Sequence, residues 1–176
     1  MALVITLPLA GRTLADARSA AAAREWALTL HALRWRSVTE GRACGVYFEL
    51  DQGSWRWFEV RDGNGNGLRT AEVQLGVDAK TAGPFRMAQR HPGVELALPS
   101  QFSVREIPPA RGWLVGTDPI RFGRSNIVSF APDGRASSGT FYLTDDRNRL
   151  FGVRLYGASA RVRVWRWERE EQRWSR

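Results

Sequence analysis

Residues Asn126–Trp167 read NIVSFAPDGRASSGTFYLTDDRNRLFGVRLYGASARVRVWRW, and the fold class follows from how this stretch is punctuated. Four strand-like runs follow one another: Asn126 to Ala131, Thr140 to Thr144, Leu150 to Tyr156, and Ala160 to Trp167. They are rich in Val, Ile, Phe, Tyr and Trp, side chains that suit a pleated, half-buried surface. Pro132-Asp133-Gly134, Asp145-Asp146-Arg147-Asn148 and Gly157-Ala158-Ser159 stand between them, and such residues set or tolerate the dihedrals of turns. Connections this short suit antiparallel neighbours, so the pattern predicts an antiparallel meander.

Upstream the pattern changes in kind. From Thr13 to about Thr39 the residues favour helix, with Asp16 in the first turn, an alanine run from Ala20 to Ala23, and Gly41 placed to stop it. Ala23, Trp26, Leu30 and Leu33 recur at helical spacing, whereas Arg18, Arg24, Glu25, Arg34 and Arg36 mostly lie elsewhere around the axis. One face is therefore expected to pack on the sheet. After Gly41, Gly45 to Leu50 and Ser54 to Val60 read as a hairpin across Asp51-Gln52-Gly53. Residues 61–120 are looser, with short candidate strands at Val94 to Leu98 and Trp113 to Val115.

At 176 residues the chain suits one domain with a substantial core. A long helix followed only by antiparallel strands predicts an α+β domain with the helix laid on the sheet. The expected organisation is an apolar segment over 1–12, a helix over 13–40, an antiparallel β domain over 41–167 and a charged tail over 168–176. The apolar stretch Ala2 to Ala10 is shorter than the roughly 20 residues a membrane-spanning helix needs. It has no basic segment ahead of it and no clean cleavage site after it, which leaves a surface-buried segment or the end of a longer membrane helix.

Little in the chain points to catalysis. No nucleophile motif, phosphate-cradling loop or HExxH pair occurs, and neither His31 nor His91 has a nearby partner in sequence. Cys44 is the single cysteine and reads as a small core residue, so no disulfide, zinc or redox role is expected. Asp62-Gly63-Asn64-Gly65-Asn66-Gly67 matches the opening of a calcium-binding loop, but Val73 stands at the twelfth place, where a carboxylate is needed, and Glu72 falls one short. A glycine-rich turn without an ion is the expectation. No catalytic residue, cofactor or metal site is predicted.

The formal net charge is +8 with a pI near 11.0, carried almost wholly by arginine. From Arg147 to the end, nine arginines face three acids, which places six of the eight net positive charges in that segment. Two-residue alternation puts Arg161, Arg163, Trp165 and Trp167 on one face of the last strand. Guanidinium groups suit phosphate oxygens and indoles stack on bases, so this face could hold nucleic acid, with Arg166, Arg169, Arg173 or Arg176 extending the patch. The plainer reading is a last strand whose tryptophans cover a core edge while its arginines stay in water.

The segment Val128-Ser129-Phe130-Ala131-Pro132-Asp133-Gly134-Arg135-Ala136-Ser137-Ser138-Gly139-Thr140-Phe141-Tyr142-Leu143, followed by Val153 to Val164 with its Ala160-Arg161-Val162-Arg163, resembles the C-terminal half of GspH/FimT pseudopilins. Phe58 to Gly67 is similar to that family's glycine- and asparagine-rich loop. The resemblance implies a pilin-like fold and a minor subunit of a type II secretion pseudopilus or type IV pilus. It implies a single-pass inner-membrane anchor with the globular domain in the periplasm, processing by prepilin peptidase, and other pilins as partners. It also implies a rival role, capture of DNA during uptake through basic residues of the C-terminal motif, here Arg161 and Arg163, to which the charge distribution adds Arg166, Arg169 and Arg173 as candidate DNA-binding residues. Two features depart from the family pattern. The leader and the first half of the apolar helix are not seen, so Ala2 to Ala10 with Pro8 reads as the second half of that helix in a truncated chain, and Ala160 stands where the basic motif usually has glycine.

Overall fold

A computed structural model describes residues 7–145 and 149–176. Its first element is α1 (Leu7–Glu40), 34 residues long. This helix starts six residues before the expected Thr13 and takes in the end of the apolar run; the remainder of that run, residues 1–6, lies outside the described residues. Pro8 stands in the first turn, where its missing N–H has no intrahelical partner to lose. Gly41, at φ 62°, ends the helix in the left-handed conformation that glycine adopts without strain.

Two antiparallel sheets follow. The first runs in the order β3 (Ala79–Arg86), β2 (Ser54–Arg61), β1 (Cys44–Asp51), β5 (Ile127–Phe130). The second runs β4 (Ile120–Arg121), β6 (Gly139–Thr144), β7 (Leu150–Tyr156), β8 (Arg161–Glu168), β9 (Arg173–Ser175). Two short helices, α2 (Thr70–Leu75) and α3 (Met87–Arg90), complete the elements. The architecture is α+β, and the β1–β2 hairpin turns at Gln52-Gly53 as expected.

The meander is the main correction. The first of its four runs does not pair with the second; β5 lies beside β1 in the other sheet, with Val46 opposite Val128. Only β6, β7 and β8 follow one another as neighbours. The expected charged tail is also ordered, because β9 pairs with β8 and Trp174 is buried opposite Trp167. Val94 to Leu98 and Trp113 to Val115 contribute single bridges, Glu95 to Thr144 and Arg105 to Trp113, instead of strands. The turn at Asp146 to Asn148 lies outside the described residues.

The core lies between α1 and the inner faces of both sheets. Ala22, Ala23, Trp26, Leu30 and Leu33 of α1 meet Cys44, Val46 and Phe48 of β1, Phe141 and Leu143 of β6, and Phe151, Val153 and Leu155 of β7. Trp26 sits at the centre, its ring 4.7 Å from Phe141, 4.8 Å from Trp57 and 5.6 Å from Phe48. Burying Trp26, Leu30 and Leu33 stabilises the domain by roughly 1.5 to 3 kcal/mol for each side chain. Cys44 is a buried free thiol in this core, and burial pushes its pKa up. Smaller clusters cover the outer faces: Tyr47, Phe58, Val60, Val73 and Ile127 on the first sheet, and Val104, Ile107, Tyr142, Leu150, Trp165, Trp167 and Trp174 on the second.

Candidate functional site

The outer face of the second sheet is divided. Ile120 and Phe122, Phe141 and Leu143, and Val162 and Val164 point inward, so Arg121, Thr140, Arg154, Arg161 and Arg163 point out by alternation. Toward β9 this face is apolar and covered, with Trp165, Trp167 and Trp174 beneath residues 98–114. At the other end it is basic. Cross-strand register lines up Arg121 with Thr140, Thr140 with Arg154, and Arg154 with Arg163, so three arginines and one threonine form a single row over four strands. Arg161 stands in the next row, opposite Tyr156, whose ring also carries the Arg154 guanidinium at 5.2 Å.

A hairpin-like segment, residues 104–115, walls the row. Leu114 N–H donates to the Val104 carbonyl at 2.8 Å and Glu106 N–H to the Gly112 carbonyl at 3.1 Å. Ile107 seats over Gly152, where an added Cβ would lie 2.5 Å from its Cδ1. Arg154 donates to the Ile107 carbonyl at 3.0 Å, and Arg121 donates to the carbonyls of Asp118 at 2.9 Å and Val115 at 2.5 Å. Carbonyl partners fix a guanidinium without neutralising it, and none of Arg121, Arg154, Arg161 and Arg163 has a carboxylate partner among the described residues. Beneath the segment, burial pushes the Tyr142 phenol up to about 12, against the pull of Arg121 and Arg154 and with the help of Glu106.

This row revises the expected basic patch. Arg161 and Arg163 share a face with Trp165 and Trp167 as alternation predicted, but both tryptophans are buried. Arg166 lies on the opposite face of β8 and pairs with Glu168 at 3.4 Å, while Arg173 pairs with Glu171. Arg169 stacks over Phe102 at 4.8 Å. Arg166 and Arg173 do not extend the patch. Arg121 and Arg154 were missed, because they join Arg163 only through register. Arg176 stacks over Trp165 at 4.9 Å and so lies over the outer face.

A second surface lies on α1. Ala21, Leu28, Ala32 and Trp35 recur at intervals of seven, four and three, the spacing of a helix–helix seam, and all four are exposed. Leu28 is 69% and Trp35 71% exposed, with Val38 at 50% beside them. The stripe lies opposite Trp26, Leu30 and Leu33, so α1 is apolar on two faces. Sequence reasoning found only the inner one, although the seven-residue step from Leu28 to Trp35 was legible.

The glycine-rich loop is held from within. Asp62 is buried and accepts hydrogen bonds from the N–H groups of Asn64 at 3.1 Å, Gly65 at 2.7 Å and Gly67 at 2.9 Å. Asp78 accepts from Gly63 and Arg69 N–H, and the Asn64 and Asn66 amides donate to Glu72. Burial alone would raise the Asp62 pKa, but the bonds from Gly67, Gly65 and Asn64 outweigh it and, with Arg42, hold the carboxyl below the usual aspartate range. Among the described residues no group of three His, Cys, Asp or Glu is placed to hold a metal ion, and no helix is long and apolar enough to cross a membrane. Comparison with protein-family models, curated proteins and solved structures finds no match.

Proposed function

We propose that this chain is a minor subunit of a pilus-like filament of the GspH/FimT kind, serving assembly in a secretion pseudopilus or type IV pilus. The observation that carries this reading is the exposed stripe of Ala21, Leu28, Ala32 and Trp35 on the outer side of α1. Exposed apolar residues aligned at seam spacing suit burial against a neighbouring helix. The two sequence phrases, the long N-terminal helix and the antiparallel sheets beneath it agree with that use. The proposed partners are other pilins, a prepilin peptidase that trims the chain, and the inner membrane, with the globular domain in the periplasm. Trp35→Glu tests this: it should abolish filament-dependent secretion or piliation while leaving the melting temperature within a few degrees of the parent. Normal filament function in that variant would refute the proposal.

Arg121, Arg154, Arg161 and Arg163, which have no carboxylate partner among the described residues, favour a second reading, DNA capture. Binding would be sequence-independent and would fall steeply with salt, because each neutralised phosphate releases condensed counterion. Alanine at both Arg161 and Arg163 should weaken binding in a low-salt titration; unchanged binding would refute this reading.

A further inference from the structure

Trp113 is 46% exposed, unlike the buried tryptophans at 165, 167 and 174 on the same side of the second sheet. Its ring carries the Arg105 guanidinium at 5.0 Å, and it pairs with Arg105 across the 104–115 segment. That segment is tied into the basic row at two points, Arg154 to the Ile107 carbonyl and Arg121 to the Val115 carbonyl. Val115 stands two residues from Trp113, so the aromatic is anchored to the arginines and not carried on an independent loop.

We infer that the outer face binds nucleic acid as a single strand, with the backbone along Arg121, Arg154 and Arg163 and a base stacked on Trp113. This deepens the DNA-capture reading and rests on it. The chemistry separates strand states. Phosphate contacts serve duplex and single strand alike, whereas an exposed indole offers a π-face only to an unpaired base. Arg105 on the same ring adds a cation to that stack.

The experiment is fluorescence anisotropy at low salt with labelled oligothymidylate and with a duplex of the same length. The full chain is compared with Trp113→Ala, Trp113→Phe and the double variant Arg121→Gln/Arg163→Gln. Single strand should bind more tightly than duplex, and Trp113→Ala should weaken single-strand binding roughly tenfold, within the range expected for a lost base stack. Trp113→Phe should recover most of the loss, and neither change should alter the salt slope. The double arginine variant should flatten that slope by up to about 0.7 per lost contact. If Trp113→Ala binds oligothymidylate as tightly as the parent, or duplex binds as well as single strand, the stacking proposal fails while the basic-face reading stands. If neither probe binds the parent, both fail.

Discussion

Arg154 and Arg163 stand directly opposite each other across β7 and β8, on the face of the second sheet turned away from α1. Like charges directly opposite each other across a strand pair destabilise an antiparallel sheet. Arg163→Gln should therefore raise the melting temperature at low ionic strength. The gain should shrink between roughly 0.01 M and 1 M salt, as the Debye length falls from about 30 to 3 Å. Thermal melts at the two ionic strengths check this; no gain at low salt would mean that the pair does not repel.

Trp26 joins the helix to both sheets through Phe48, Trp57 and Phe141. Truncation leaves a cavity that three ring systems cannot fill. Trp26→Ala should cost about 3 to 5 kcal/mol in urea unfolding, whereas Trp35→Ala, at an exposed position, should cost about 0.5 kcal/mol or less.

The Asp62 loop predicts a pH dependence. A carboxyl whose pKa is lower in the folded state than in the unfolded chain stabilises the fold above the ordinary aspartate value, about 3.9, and that contribution is lost as pH falls through the folded value. Asp62→Ala should thus melt below the parent at neutral pH, and the gap should close as the pH is lowered beneath about 4. Millimolar Ca²⁺ should leave the parent's melting temperature unchanged, since the Asp62 carboxylate already accepts three backbone bonds. A clear calcium-dependent rise that Asp62→Ala removes would contradict this account of the loop.

Ala160 holds φ at 47° and is buried. The left-handed conformation costs an alanine roughly 1 to 2 kcal/mol, which Ala160→Gly would relieve. Glycine's greater freedom in the unfolded chain and the lost methyl contact, about 0.5 to 1 and 0.8 kcal/mol, offset that gain. Ala160→Gly should therefore stay within about 1 kcal/mol of the parent, while Ala160→Val, bulky and branched at positive φ, should cost clearly more. Equilibrium unfolding of the two variants checks the order.

Local signals were legible in the sequence and pairing between distant segments was not. The hairpin of β1 and β2 is written in alternation and in Gln52-Gly53, and the inner face of α1 in the spacing of Trp26, Leu30 and Leu33. β5 was misplaced because Pro132-Asp133-Gly134 specifies a turn without specifying which sheet its flanking strand joins. β3 escaped notice because Gly83-Pro84 interrupts it, and β9 because Trp174 is its one apolar residue. At the basic face, Arg161 and Arg163 were visible through alternation along one strand. Arg121 and Arg154 reach the row of Arg163 only through the registers of the neighbouring strands.

The proposed role of α1 as a filament seam is open to a contact measurement in cells producing the proposed filament. A photo-reactive amino acid at position 35, with one at the exposed position 101 as the comparison, should yield adducts with other pilin-class subunits from position 35 and not from position 101. Replacing Leu28 and Val38 with serine should abolish them. Adducts absent at position 35, or equally strong at position 101, in a chain of unchanged melting temperature would contradict the proposal that this helix packs against its neighbours in a filament.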